Sequence, residues 1–298
     1  MTPGLFIMCP GQGGQHAGMF DLARTDPHGA ALLDQAGIDP DAAMPFDNAV
    51  AQPAIVACAL AMWEALRAHL PKPMLAAGYS VGEVAAWSVA GAITPPDAIA
   101  LSRVRAAAMD QAARGGPPQA LVAISALAID RAGALAARHG YEIAIVNDID
   151  ACIAGGPQDN LAALGESVAA AGAKLQRLPV AVASHTSLME PARDAFDAAL
   201  ASLRFVTPAC PVLGGVNALA LRTWAQAVDA LSRQLVHTIR WSDCMDAAVE
   251  AGVTVALELG PGAALARMMQ ARHPHIACRS VADFRSIAGI AAWVARQE

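Results

Sequence analysis

The segment Gly78-Tyr79-Ser80-Val81-Gly82 sets a serine between two glycines, after the apolar run 75–77 and before the alanine-rich stretch 83–87. In a G-x-S-x-G pattern the serine sits on a sharp strand-to-helix turn, where a side chain at either flank would crowd the backbone. Such a turn presents the hydroxyl outward as a nucleophile. The helix that follows aims its free N–H groups at the same point, so negative charge developing on a substrate oxygen is stabilised there. Glu83 follows as an acid in the first helical turn. The plainer alternative is a Gly-Ser turn that only caps a helix. A nucleophile also requires a base and an oxyanion site.

Residues 10–15, PGQGGQ, follow the first apolar run. A dinucleotide-binding G-x-G-x-x-G starting at Gly11 requires glycine at position 16, which is His16, so that chemistry is discarded. A glycine-rich loop at a strand end can instead offer a backbone N–H to an oxyanion. Gln12 is the donor position expected there, paired with the N–H of Val81. Without Ser80 the loop reads as a plain tight turn.

Eight histidines compete as base: His16, His28, His69, His139, His185, His237, His273 and His275. His69 and His139 end helical stretches, where cationic caps are common. His273 and His275 bracket a proline and lack an evident third metal ligand. His185 follows the apolar run 178–184 and precedes TSLMEP, which places it at a strand end, where α/β sites gather. His16 is the rival, beside the glycine loop. Arg105 and Met109 share one helix face at i and i+4. That arginine either snorkels or pairs with an acid, or its planar fork fixes a substrate carboxylate. The residues alone leave both choices open.

These side chains need a scaffold. Short apolar runs alternate with helical stretches, which predicts an α/β architecture. A strand is expected over 5–9, a helix over 51–70, a strand over 72–80, and helices over 82–93 and 95–114. Beyond 115–119 the pattern reads β-α-β-β-α-β to residue 182, with the last strand over 174–181. That order is ferredoxin-like. The expected division is a catalytic core of 1–118 and 183–298 around an inserted subdomain of 119–182.

Composition narrows the class. At 298 residues and 55% hydrophobic, with only 4% aromatic, alanine and aliphatic side chains must build the core. The net charge of −6 and the lack of a long basic run argue against nucleic acid as a main partner. Six scattered cysteines without a CxxC pair point to a reduced, cytoplasmic protein with no zinc ribbon. The N-terminus lacks a signal-peptide layout, and apolar runs are broken well before 18 residues, so no membrane span is expected.

Taken together, CPGQGGQ, GYSVGEVAAW, RVRAAAM, IVND, VASHTSLM, IRW and LELGPGAAL occur in the order and spacing of a known family. The chain resembles malonyl-CoA:acyl carrier protein transacylases and the acyltransferase domains of polyketide synthases. The resemblance implies a hydrolase-like α/β core of mostly parallel sheet with a ferredoxin-like insertion. It implies Ser80 as nucleophile, His185 as base, Gln12 and Val81 as oxyanion donors, and Arg105 as the clamp on the acyl carboxylate. Met109 and Asn147 match supporting positions. Arg240, in IRW, matches the position whose backbone carbonyl holds the histidine.

Two departures stand out. The family often has histidine before the nucleophile, where this chain has Tyr79, and its R-G-x-x-M is here Arg105-Ala106-Ala107-Ala108-Met109. Ser184, beside the base, is small enough to admit an α-branched acyl group. The partners implied are malonyl-CoA and an acyl carrier protein, with CoA thioester and phosphopantetheine as substrates and no metal or held cofactor. Arg193, Arg204, Arg222, Arg233 and Arg240 are candidates for a basic carrier-docking patch. A related subunit serves the malonate decarboxylase complex, so membership of a larger decarboxylase or synthase assembly is a further expectation. A serine esterase or thioesterase on the same scaffold is the rival activity, and a non-catalytic docking subunit is the third reading.

Overall fold

Five consecutive apolar residues, Leu5–Cys9, form strand β1, and every one is buried. An unbroken apolar run of this kind suits a strand covered on both faces. The computed structural model describes residues 3–39 and 46–297. The remaining strands are β2 (Leu75–Gly78), β3 (Gln119–Ser125), β4 (Glu142–Asp148), β5 (Ala151–Pro157), β6 (Lys174–Arg177), β7 (Val212–Leu213), β8 (Ala220–Leu221), β9 (Ile239–Arg240), β10 (Val255–Glu258) and β11 (Ala277–Ser280). They make two sheets. The first has the order β11-β10-β1-β2-β7-β8 and is parallel except for the β7–β8 pair.

The alternation of side chains along β1 explains its coverage. Leu5, Ile7 and Cys9 join one apolar core with the helices Asn48–Leu66 and Gly82–Val89. Phe6 and Met8 point the other way, into a core with the helices Trp241–Glu250 and Ala264–Arg272. Helix Asn48–Leu66 corrects one expectation. With a mean hydropathy of 1.6 over 18 residues it is long and apolar enough to cross a membrane. That window is 83% buried in the fold, and Gln52 and Pro53 lie within the helix, so it serves as a core helix.

The second sheet has the order β6-β3-β5-β4-β9. Helices Ile129–Arg138 and Leu161–Ala170 connect its strands in the order β-α-β-β-α-β, as the sequence predicts. Its first four strands are antiparallel, whereas β9 joins in parallel beside β4 from the far part of the chain. That fifth strand was not anticipated, because two residues leave no periodicity to read. The strand expected over 174–181 ends at Arg177. Leu178 still donates to Leu121, but Pro179 has no N–H to continue the ladder. The next residues form a loop that lines the cleft between the two sheets.

Candidate active site

Ser80 lies two residues past the end of β2 and adopts φ 56°, a left-handed conformation that costs a residue with a Cβ. The flanking glycines show why the turn closes here. A Cβ on Gly78 would lie 2.0 Å from the Glu83 backbone nitrogen, and one on Gly82 would lie 2.1 Å from the Cys9 carbonyl oxygen. The turn is therefore pressed against β1. Gly82→Ala is expected to lower stability by about 3 kcal/mol, as overpacking against rigid backbone does. Urea unfolding followed by circular dichroism measures it, and an unchanged midpoint would refute the steric account.

His185 is the other strained residue of the site, at φ 64°. Its Nε2 lies 2.8 Å from Ser80 Oγ and its Nδ1 lies 2.5 Å from the Gln234 carbonyl oxygen. A carbonyl only accepts, so Nδ1 carries the proton and Nε2 is left to receive one from the serine hydroxyl. Burial, then the nearby Arg105 cation, push His185 down to about 3, with the Gln234 hydrogen bond opposing them. The imidazole is thus neutral at physiological pH, with Nε2 free to accept a proton. The carbonyl partner corrects the expectation for Arg240. That residue sits on β9 with its side chain on the surface, 2.6 Å from Asp243. The chain reaches His185 earlier, at Gln234 and at Leu235, whose carbonyl accepts the His185 N–H at 2.9 Å. The rival His16 is exposed, with its ring against Ala17 O at 2.6 Å.

Arg105 is 1% exposed and belongs to helix Pro95–Arg114. It donates to Gln52 Oε1 at 2.8 Å, to Gln234 Oε1 at 3.3 Å and to Ser80 Oγ at 3.3 Å. It takes part in none of the ion pairs among the described residues. Burial lowers its pKa to about 10, so it stays cationic at neutral pH. A buried cation whose hydrogen bonds all go to neutral groups, and which touches the nucleophile, can receive an anion from a substrate.

Met109 Sδ accepts from Gln52 Nε2 at 3.6 Å, which helps hold the amide that orients Arg105. The backbone N–H groups of Gln12 and Val81 find no acceptor among the described residues, which leaves both free for an oxyanion. Asn147 Oδ1, on β4, accepts from the Tyr79 hydroxyl at 3.0 Å, joining the turn to the second sheet. The Tyr79 ring meets Trp241 edge-on, 5.5 Å between centroids.

Ser80 and His185 open into a cleft of about 360 Å³. Leu121, Ile145 and Ile153 of the second sheet form its apolar wall, and Arg267 lines it too. A larger groove, about 930 Å³, lies past the far end of helix Gly82–Val89 and includes none of these residues. Among the described residues no cluster of histidine, cysteine and acid could hold a metal ion.

Residues 45–287 match the acyl transferase domain family. Across 95% of this chain and 99% of the relative, the sequence is 32% identical to the malonyl CoA-acyl carrier protein transacylase of Mycobacterium bovis. The chain belongs to the malonyl-CoA:acyl carrier protein transacylase family. Solved structures of transacylases agree. That of the malonyl CoA-acyl carrier protein transacylase from Coxiella burnetii superposes with a TM-score of 0.91 at 25% identity, covering 100% of this chain and 98% of the other. A malonyl-transacylase solved in complex with a type II polyketide synthase acyl-carrier protein gives 0.88 at 28% identity, covering 97% and 99%.

Sequence reasoning missed Gln52 and Gln234 of this transacylase site, and noted Glu83 only as a first-turn acid. Gln52, Gln234 and Glu83 are all buried: the two glutamines accept from Arg105, and Glu83 accepts from Gln234. Isolated glutamines carry no motif. Only their positions in apolar helical stretches, where an amide needs a partner, could have signalled them. Of the cations offered for docking, Arg193, Arg233 and Arg240 are engaged with Glu190, Asp229 and Asp243.

Proposed function

We propose that the protein moves a malonyl group from CoA to the phosphopantetheine thiol of an acyl carrier protein through an ester on Ser80. The observation that carries this reading is the buried, unpaired Arg105 guanidinium in contact with the nucleophile. An esterase has no need of such a group.

In the first half-reaction Ser80 Oγ gives its proton to His185 Nε2 as it attacks the thioester carbon. The oxyanion rests on the Gln12 and Val81 N–H groups. The C–S bond breaks, and His185 returns the proton to the CoA sulfur. The malonyl carboxylate meanwhile pairs with Arg105. In the second half-reaction the carrier thiol gives its proton to His185 and attacks the ester, and Ser80 is reprotonated as it leaves. The Gln234 carbonyl keeps His185 in the required tautomer throughout. CoA and phosphopantetheine enter as substrates, and the reaction draws on no resident metal or cofactor.

The β-α-β-β-α-β order supports reading 119–182 as a ferredoxin-like subdomain inserted into a hydrolase-like core of 1–118 and 183–298. Six reduced, buried cysteines fit a cytoplasmic setting.

Mass spectrometry after mixing with malonyl-CoA tests the reading. The expected result is a malonyl ester on Ser80 that persists and then discharges onto a holo-carrier protein. Rapid release of free malonate with no transfer would favour the esterase.

A further inference from the structure

The reaction above gives no part to Glu83, yet this carboxyl group is wholly buried one turn beyond the nucleophile. Its Oε2 accepts the Gly215 N–H at 3.0 Å and Gln234 Nε2 at 2.5 Å, while its Oε1 has no partner. The contact depends on glycine at 215, since a Cβ there would lie 2.9 Å from that oxygen. Gln234 in turn meets Arg105 through its side-chain oxygen and His185 through its backbone carbonyl. One amide therefore separates Glu83 from the acyl-carboxylate clamp.

The charged and titratable groups around Glu83 are few. Arg105 faces it from helix Pro95–Arg114, Cys244 from helix Trp241–Glu250, and His185 lies behind Gln234. The segment bearing Gly215 brings an N–H. Burial pushes the Cys244 thiol up, and His185 is held neutral. The charge balance thus reduces to Arg105 against Glu83. An ionised Glu83 neutralises the empty site. A malonyl carboxylate on Arg105 adds a second anion to the same buried cluster, and burying that excess is costly.

We propose that Glu83 is a positioning residue for carboxyacyl selectivity: it holds Arg105 in line through Gln234 and takes up one proton on Oε1 when the substrate carboxylate settles on Arg105. The proton comes from solvent, and no other bond changes. The proposal rests on the malonyl-transfer reading. Burial pushes Glu83 up to about 7, opposed by the Gly215 and Gln234 hydrogen bonds and by Arg105. A second anion nearby raises it further, by about a factor of ten in proton affinity. Loading that binds a proton is strongest below that range and weakens as pH climbs through it. Acetyl-CoA carries the same phosphates without the carboxylate, so the malonyl-to-acetyl ratio isolates the effect.

The test is quenched mass spectrometry of the Ser80 ester, with equal malonyl-CoA and acetyl-CoA, from about pH 6 to 9. The wild-type ratio is expected to fall nearly tenfold across this whole range, about threefold of it between about pH 7 and 8. In Glu83→Gln, which cannot ionise, the ratio should not change with pH. In Glu83→Ala, where the hold on Gln234 is lost, the ratio should drop at every pH. A flat wild-type ratio, or a Gln variant that keeps the wild-type fall, would overturn the proposal, and the wild-type profile decides even if a variant fails to fold. Wild-type protein that forms no malonyl ester at all would overturn the transfer reading as well.

Discussion

Ser80→Ala is expected to lower malonyl transfer from CoA to carrier by about a millionfold, the order seen when a serine nucleophile is removed from a hydrogen-bonded catalytic set. The loss belongs to chemistry and not to folding. The methyl group fits where the CH₂ already sits, and the φ of 56° is no harder for alanine than for serine. Far-ultraviolet circular dichroism and the unfolding midpoint should stay near wild type. No ester should appear at any acyl-CoA concentration. Transfer at more than a hundredth of the wild-type rate would mean that the thiol attacks CoA directly, and the acyl-enzyme scheme would fall.

Arg105→Ala should shrink the preference for malonyl over acetyl by one to two decades. A charge-assisted hydrogen bond contributes about 1.5–3 kcal/mol, and each 1.4 kcal/mol is a factor of ten. Acetyl loading depends on Ser80, His185 and the two backbone donors, from which the substitution removes only the long 3.3 Å hydrogen bond to Ser80 Oγ. It should therefore survive better than malonyl loading. The variant leaves the Gln52 and Gln234 oxygens without their buried donor, which lowers stability by about 1–3 kcal/mol. The ratio of kcat/KM values for the two acyl-CoAs, measured well below the melting transition, separates selectivity from stability. Equal losses for both groups would remove the carboxylate role from Arg105.

The sequence carried some of these residues plainly and hid others. Ser80 and the loop bearing Gln12 were legible because glycines are required where backbone meets backbone, and such glycines leave a spacing that can be read. Helix Pro95–Arg114 was read to the residue, because its paired prolines mark the first turn. His185 could be narrowed but not chosen over His16 by position, and only family resemblance favoured it. Arg240 was misassigned because a backbone carbonyl has no residue type. Any residue of the segment before Trp241 could have supplied it, and the place where helix Trp224–Gln234 ends decided for Gln234. Gln52, Gln234 and Glu83 form a network only in three dimensions, since 53 and 129 residues separate the two glutamines from Arg105 in the chain.

The first strand of the chain lies in the middle of its sheet, with β10 on one side and β2 on the other. Its partner Val255 is reached 250 residues after Leu5. During synthesis Leu5–Cys9 must wait, with one edge unpaired and greasy, until nearly everything else has left the ribosome. At about 5–20 residues per second that delay lasts tens of seconds, long enough for a holding chaperone to matter and for overexpressed chains to stick to one another.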